Sequence, residues 1–302
     1  MDCDMDTARV TVTSDTLSGQ VDLHCHSTAS DGILSPAALV SRAKSAGVTL
    51  LALTDHDTVA GIDEAAATAR EQGVTLMPGI ELTARWGRRV IHVVGLNIDR
   101  GSDALTDAIS ERARLRRQRA REIAARLEKR GFTGAFDGAR SFSGGDEIGR
   151  PHFARWMVAQ GYVSDTAKAF KRYLGQGKIG DVSVPWPALA ETVAAIHAAK
   201  GAAVLAHPLK YGLTRTRLLA LLKDFQSAGG DAAEVVCGQQ NPVQTREIQA
   251  LMADAGVQAG LHRPNLLASV GSDFHQPEQP WRALGSVHLP VGAEPVWALW
   301  QS

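Results

Sequence analysis

Seven short apolar runs alternate with amphipathic segments along the chain. The runs cover residues 21–26, 48–57, 74–82, 89–96, 202–208, 232–238 and 266–273. Between many of them lie alanine-rich segments with helical periodicity, such as 35–47 and 59–73. Apolar strands that alternate with amphipathic helices are typical of an α/β fold with a mainly parallel sheet covered by helices. Seven strands favour a closed or nearly closed barrel over a doubly wound sheet.

One long stretch interrupts this alternation. From about residue 104 to 187 no strand pattern occurs, and a long helical pattern is followed by short helices with glycine-rich joints. We therefore predict a helical insertion domain over 104–187, within a barrel domain formed by 21–103 and 188–302. Residues 1–20 are acidic and polar and lack an apolar signal core, which predicts a flexible N-terminal leader.

Composition narrows the functional classes only slightly. The 302 residues are 44% hydrophobic and 21% charged, and 32 basic residues balance 32 acidic ones, so net charge indicates no particular partner. Three scattered cysteines do not form a disulfide framework or a cysteine-based zinc site. There is no apolar run of about 18 residues. We expect a cytoplasmic protein with no membrane association and no obligate protein partner.

Histidines and carboxylates follow or lie within the predicted strands. His24 and His26 share one face of their strand because strand side chains alternate. In a parallel barrel the carboxyl ends of strands converge on one face, so the set would meet there. A single histidine of this kind is usually an ordinary core residue, but burying the whole set unpaired would be very unfavourable. A cluster of divalent cations would remove this cost, and nitrogen and carboxylate ligands without thiolates fit zinc, manganese or iron. The candidate groups are His24, His26, Asp55, His56, Asp57, Glu81, His92, His207, Asp273 and His275, with Asp31 just beyond the first strand.

At these residues the sequence resembles the polymerase and histidinol phosphatase (PHP) family of metal-dependent phosphoesterases. The resemblance rests on "DLHCHSTASDG", "LALTDHDT", "GIELT", "HVVGL", "LAHP" and "GSDFH", which occur in the family's order over residues 21–276. It implies a distorted (β/α)7, TIM-like barrel with a trinuclear metal centre. The sequence is most similar to a stand-alone bacterial branch that carries a helical insertion and acts on nucleotides.

The resemblance also implies how the ligands are shared. One metal would bind His24, His26, Glu81 and Asp273; a second would bind Glu81, His92 and His207; a third would bind Asp31, His56 and His275. Some family members have histidine in place of Asp31, and the harder carboxylate favours manganese or magnesium over zinc. We expect two or three divalent ions per chain: manganese first, with zinc, iron(II) or magnesium as alternatives.

Two further carboxylates flank one of these ligands. Asp55 and Asp57 stand on either side of His56. We assign them the role of orienting the ligating imidazoles. The alternative is that Asp57 caps the helix that follows.

Basic residues of the insertion predict phosphate contacts. Arg116 and Arg119 share one face of the long helix, Arg150 and His152 begin a shorter one, and Lys178 lies among glycines. A helix start that carries arginine is a ready anion site. The alternatives are a solvated charged face and an exposed helix start. With metals on one side and this wall on the other, the substrate is expected to carry two phosphates.

We therefore predict hydrolysis of a phosphomonoester of nucleoside 3′,5′-bisphosphates. Attack by a metal-bound hydroxide would release the 3′-phosphate and leave a nucleoside 5′-monophosphate. The first alternative is a 5′-3′ exoribonuclease acting on short 5′-phosphorylated RNA at the same site. Less favoured are a histidinol-phosphatase-like enzyme, which the basic insertion argues against, and a non-catalytic nucleic-acid-binding module, which overall neutrality disfavours.

Overall fold

The computed structural model describes residues 9–144, 148–259 and 266–301. Each of the seven predicted apolar runs overlaps a strand. The strands are β1 (Gln20–Asp22), β2 (Val48–Leu53), β3 (Thr75–Trp86), β4 (Arg89–Leu96), β5 (Ala202–Leu205), β6 (Ala232–Cys237) and β7 (Leu267–Gly271). The helices are α1 (Pro36–Ser45), α2 (Ile62–Gln72), α3 (Asp103–Glu128), α4 (Ala135–Arg140), α5 (Arg150–Ala159), α6 (Thr166–Ala169), α7 (Leu189–Ala198), α8 (Arg215–Ser227) and α9 (Pro242–Ala259).

The strands form a single seven-stranded sheet in chain order. Its two ends approach each other, because the segment that follows β1 runs along the end of β7. Leu23 donates a backbone hydrogen bond to Val270, and Cys25 forms a β-bridge with Phe274. The sheet is therefore a nearly closed barrel, and the predicted α/β barrel is confirmed.

The direction of one strand differs from the prediction of a mainly parallel sheet. β4 is antiparallel to both of its neighbours, β3 and β5, whereas the other paired strands are parallel. Only residues 87 and 88 separate β3 from β4. A two-residue connection can join antiparallel strands, but a parallel pair needs a crossover of a dozen or more residues. β3 and β4 therefore form a β-hairpin that contains two of the predicted ligands, Glu81 and His92.

Between β4 and α7 the described residues form helices and turns but no strand. They have a hydrophobic core of their own, made by side chains of α3, α4, α5 and the segment up to Val182. The long helix α3 contributes to this core through Ile123 and Leu127, which are fully buried. This helical region covers the end of the barrel where the predicted ligands lie.

The described part of the predicted leader is packed rather than free. Val12 is completely buried, its backbone N–H donates to Trp300, and it forms a β-bridge with Gln301. Val10 donates a backbone hydrogen bond to the side chain of Asn97. Residues 9–20 thus differ from the flexible leader expected, because apolar side chains there dock on the barrel; residues 1–8 lie outside the described ranges. Among the described helices, none has the length and apolar character that a membrane span needs.

Candidate metal centre

The structure brings all nine predicted ligand residues together at one end of the barrel. They lie at the ends of β1, β2, β5 and β7 or within β3 and β4, and they come within hydrogen-bonding distance of one another through a chain of nitrogen–oxygen contacts. His24 and His26 face the same side, as predicted, and their Nε2 atoms are 3.1 Å apart. Cys25, between them, points into the hydrophobic core.

Glu81, on β3, is the centre of this cluster. Its side chain is fully buried, and its two carboxylate oxygens face different imidazoles. Oε1 lies 3.0 Å from both His92 Nδ1 and His207 Nε2. Oε2 lies 2.9–3.3 Å from nitrogens of three further imidazoles, those of His24, His26 and His56. Burial alone would raise the pKa of Glu81, but the imidazoles around it, foremost those of His56 and His24, hold this pKa well below its ordinary value.

A second group surrounds Asp31. Its Oδ1 lies 3.3 Å from His275 Nε2 and 3.9 Å from His56 Nε2, and the rings of His26 and His275 are 4.2 Å apart. Burial would raise the pKa of Asp31, but His275 and His56 lower it well below its ordinary value. Four residues each offer one possible ligand atom, and these atoms all lie within 4.8 Å of one another: His26, Asp31, His56 and His275. His26 thus faces both groups.

Asp273 has one oxygen directed toward the cluster and one held from behind. Oδ1 lies 3.5 Å from His26 Nε2. Oδ2 accepts a hydrogen bond from the ammonium group of Lys210 and also lies 3.0 Å from a guanidinium nitrogen of Arg282. Burial would raise the pKa of this carboxyl, but the hydrogen bond from His26 and the nearby charges hold it well below its ordinary value. The two cations contact Oδ2, so Oδ1 of an ionised Asp273 faces the imidazoles of the cluster.

The residues present fit divalent metal ions. Glu81 Oε2 and Asp31 Oδ1 are buried and have no hydrogen-bond partner among the described residues. His24 Nδ1 is bonded to a carboxylate, so in the neutral ring the proton is on Nδ1 and Nε2 presents a lone pair. Lone pairs and carboxylate oxygens that converge without protons between them repel one another unless a cation lies among them. Imidazole and carboxylate ligands suit zinc, manganese or iron.

The carboxylate bonded to His24 was missed in the sequence. It belongs to Glu234, on β6, which is buried and lies 2.7 Å from His24 Nδ1. Its other oxygen accepts the backbone N–H of His207. Glu234 therefore fixes both the tautomer of His24 and the position of His207. The signal was present, because a single glutamate stands in the otherwise apolar run "AAEVVC".

Asp55 and Asp57 do not contact the imidazoles that they were predicted to orient. Asp55 accepts hydrogen bonds from the backbone and hydroxyl of Ser27 and from the hydroxyl of Ser30, so it shapes the loop that leads to Asp31. Burial raises its pKa. This loop follows His26 directly, and a carboxylate with three donors can fix its course.

Asp57 connects β3 to the long helix α3. It accepts the backbone N–H and the hydroxyl of Thr83, and its Oδ2 accepts the Nε–H of Arg116 at 2.6 Å. Burial alone would raise its pKa, but Arg116 and Arg112 lower it. The alternative of helix capping is also wrong, since α2 begins at Ile62 with Gly61 as its N-cap.

Three residues that enclose the cluster have a left-handed backbone. Asp57, His207 and Asp273 have φ angles of 54°, 31° and 54°, which non-glycine residues rarely adopt. Each conformation costs about 1–3 kcal/mol and persists only when its surroundings hold it. The backbone N–H of Asp57 donates to Glu81 and that of Asp273 to His24, so hydrogen bonds to the ligand strands hold these turns.

A cavity of about 590 Å³ opens beside the ligands. Its floor includes Asp31, His56 and His92, and its opposite wall comes from the helical region. Three of the predicted substrate contacts line this wall: Arg116, Arg119 and Arg150.

The three guanidinium groups crowd one another. Burial, together with the charges of Arg150 and Arg116, lowers the pKa of Arg119 to about 9, and the nearby Asp181 only partly opposes this shift. Arg119 donates to the backbone of Val182, and Arg150 donates to that of Leu174. Arg119 and Arg150 each have further N–H groups beyond these bonds. An anion in the cavity would relieve their mutual repulsion.

Two predicted substrate contacts lie elsewhere. His152 is buried and does not line the cavity: its Nδ1 accepts the N–H of Gly149, and its Nε2–H donates to the carbonyl of Ser30. Burial lowers its pKa to about 4, so it is a neutral structural residue. Lys178 lines a separate cleft with Arg172. The start of α5 turns His152 inward, and the helical region directs Lys178 away from the ligands.

Comparisons with known proteins identify the family of the chain. The profile of the PHP domain matches residues 22–177. A protein of Haemophilus influenzae named 5′-3′ exoribonuclease is 45% identical over 91% of this chain and 97% of its own length. A protein of Chromobacterium violaceum named 3′,5′-nucleoside bisphosphate phosphatase is 42% identical over 92% of this chain and 95% of its own.

Solved structures also share the fold. An amidohydrolase from Chromobacterium violaceum, with bound sulfate and without metal, superimposes with a TM-score of 0.85 and 39% identity. The match covers 93% of this chain and 95% of that one. The similarity extends through the barrel and the helical region alike.

The contact between Glu234 and His24 predicts an effect on metal binding. Glu234→Gln keeps the shape of the side chain but replaces the anionic acceptor by an amide that holds the imidazole less firmly. We expect the affinity for Mn²⁺ at the site that includes His24 to fall by about 10- to 100-fold. Isothermal titration of the metal-free protein measures this. The matched control is Glu71→Gln, an exposed change on α2, and equal Mn²⁺ affinity in the two variants would contradict the role of Glu234.

Proposed function

The chain belongs to the PHP domain family, and we propose that it is a metal-dependent phosphoesterase that converts nucleoside 3′,5′-bisphosphates to nucleoside 5′-monophosphates and phosphate. One observation carries this proposal: a single cavity has a cluster of anionic and imidazole ligands on one side and three crowded arginines on the other. Such a cavity suits a substrate with two separated phosphates. The names of the relatives from Chromobacterium violaceum and Haemophilus influenzae support phosphate ester hydrolysis on nucleotides or RNA.

We assign the ligands to three sites, of which the first two share Glu81. The first has His24, His26, Glu81 and Asp273; the second has Glu81, His92 and His207; the third has Asp31, His56 and His275. The positions of the two Glu81 oxygens support the division between the first two sites. We propose manganese as the ion, since the Asp31 carboxylate favours a harder cation than zinc. When bound, divalent cations neutralise charge on phosphate oxygens and lower the pKa of water at the site.

The side chains of the protein have three tasks around this chemistry. Glu234, Lys210 and Arg282 hold His24 and Asp273 in position from behind. Arg119 and Arg150 bind the second phosphate through charge-assisted hydrogen bonds and so place the first one at the ligands.

Arg116 has a different task. It is bonded to Asp57 and to the hydroxyl of Thr83, so it joins the helical wall to the barrel beneath the substrate. This contact sets the separation between the arginine wall and the metal ligands, and with it the distance between two phosphates that the cavity can hold.

The second candidate function is that of a 5′-3′ exoribonuclease, which breaks the same type of bond as the phosphatase. Removal of a 3′-phosphate from a 5′-phosphorylated nucleotide breaks the P–O3′ bond. Release of a 5′-mononucleotide from the 5′ end of RNA breaks the same bond, except that the phosphate carries a second ester. The same arginines can therefore recognise the 5′-phosphate in both reactions. The identity to the Haemophilus influenzae protein favours keeping this candidate.

A panel of substrates tests the proposal. Protein supplied with Mn²⁺ is offered 3′,5′-bisphosphoadenosine, adenosine 5′-monophosphate, histidinol phosphate and a 5′-phosphorylated RNA 5-mer. We expect phosphate release from the bisphosphate and none from adenosine 5′-monophosphate or histidinol phosphate. Mononucleotide release from the 5-mer without phosphate release from the bisphosphate would replace the lead by the exoribonuclease. No turnover of any substrate would refute both.

The arginine wall predicts a selective effect of Arg150→Gln. Loss of a charge-assisted contact with the 5′-phosphate should raise the KM for 3′,5′-bisphosphoadenosine by about 10-fold or more. Adenosine 3′-monophosphate, which lacks that phosphate, should be affected much less. Steady-state kinetics on both substrates measure the difference, with the exposed change Arg140→Gln as the control. An equal rise in KM for both substrates would show that Arg150 does not contact the 5′-phosphate.

A further inference from the structure

The β3–β4 hairpin forms a second wall of the cavity, separate from the arginine wall of the helical region. We propose that this hairpin is a subsite for the part of an RNA strand that follows the scissile phosphate, with Val90 and Arg88 as its contacts. The inference rests on the proposed function and concerns the same site, because it names what would lie beyond the 3′-phosphate of the first nucleotide.

The hairpin extends from His92, at the cluster, toward the mouth of the cavity. Side chains two residues apart in a strand point the same way, so Val90 continues the side on which His92 reaches the cluster, and Arg88 lies just beyond it in the two-residue turn that joins β3 to β4. All three line the cavity. At about 3.4 Å per residue, Val90 lies about 7 Å from His92 along β4, and Arg88 follows at the hairpin turn. The hairpin thus runs from the ligands to the mouth of the cavity.

Val90 offers an apolar surface in a largely charged cavity. Its side chain is 46% exposed, next to the buried cluster that holds the metal ligands. Trp186 and Phe170 lie on the opposite side of the cavity among residues of the helical region, whereas Tyr211, which also lines the cavity, accepts the backbone N–H of His92 through its hydroxyl. A single exposed valine is ordinary on a protein surface. Because Val90 lies two residues from His92 on the same face of β4, it can pack against the sugar or base that follows the scissile phosphate.

Arg88 differs from the other arginines that line the cavity. Arg89 donates to the carbonyl of Tyr211 at 3.0 Å, and Arg116, Arg119 and Arg150 each donate to the protein as well. The guanidinium of Arg88 has no ion pair or hydrogen bond within the described ranges, and the residue is exposed. Its five N–H donors are therefore available to a ligand.

The two basic walls suit the two ends of a nucleotide within RNA. The 5′-phosphate and the 3′-linked chain leave the ribose in different directions. With the 5′-phosphate on Arg119 and Arg150 and the scissile phosphate at the metal ligands, the following nucleotide needs a surface that begins at the ligands and leads outward. The hairpin provides such a surface, with an apolar contact first and a cation second. A nucleoside bisphosphate ends at the scissile phosphate and does not reach Arg88.

The test is the Arg88→Gln variant with two ligands. 3′,5′-bisphosphoadenosine is measured as a substrate. A 5′-phosphorylated RNA 5-mer is measured both as a substrate and as a competitive inhibitor of phosphate release from the bisphosphate, so its binding is observed whether or not it is cleaved. We expect the ratio of the inhibition constant of the 5-mer to the KM of the bisphosphate to rise about tenfold, as loss of one contact to a charged group implies.

Two further measurements separate this contact from a general loss of charge. The plot of the logarithm of 5-mer affinity against the logarithm of salt concentration should become shallower by about 0.7, the value for one phosphate contact to a single strand. Val90→Glu, which places a negative charge on the hairpin, should weaken the 5-mer in the same selective way. The control is Arg172→Gln, which removes an exposed arginine from a separate cleft.

Failure of this inference can be distinguished from failure of the proposed function. Absence of phosphate release and of mononucleotide release by the unchanged protein refutes the proposed function. A protein that hydrolyses the bisphosphate but neither cleaves nor is inhibited by the 5-mer refutes the subsite alone. The subsite is also refuted if Arg88→Gln weakens both ligands equally, or if Arg172→Gln reproduces its effect.

Discussion

A fully buried glutamate among five imidazoles is the constraint on which the rest of the structure depends. Glu81 has no access to water, and its Oε2 has no hydrogen-bond partner among the described residues. A carboxylate in that position is stable only because positive charge or coordinated cations surround it. The imidazoles of His24, His26, His56, His92 and His207 lie around its two oxygens. This arrangement requires that strands distant in sequence end at one place.

The barrel meets this requirement through its topology. The segment after β1 pairs with the end of β7, which brings His24 beside Asp273. The reversal of β4 brings His92 alongside Glu81 from the neighbouring strand, with Thr83 as its register partner. Left-handed backbone at His207 and Asp273 turns these side chains inward. Glu234 contacts His24, and Lys210 and Arg282 contact Asp273, so hydrogen bonds and ion pairs within the protein hold these two proposed ligands in position.

The sequence predicted much of this and missed the parts that depend on pairing between distant residues. The apolar runs located all seven strands, and the ordered histidines and carboxylates gave a ligand set that the structure gathers in one place. The direction of β4 could have been inferred from its short connection to β3. The partners of Asp55 and Asp57 could not, because Ser27, Thr83 and Arg116 meet them only in the folded chain. His152 was predicted to contact substrate because it stands at the start of a helix, but that position does not reveal whether a side chain points into the protein or into the cavity.

Anomalous diffraction from crystals of the protein grown with Mn²⁺ tests the central claim most directly. The account predicts two or three anomalous peaks at the barrel end, with one on each side of the Glu81 carboxylate and bonded to one of its oxygens. In crystals of Glu81→Gln the peaks beside residue 81 should be lost or greatly weakened. Strong Mn²⁺ peaks elsewhere on the protein, with none near Glu81, would contradict the account.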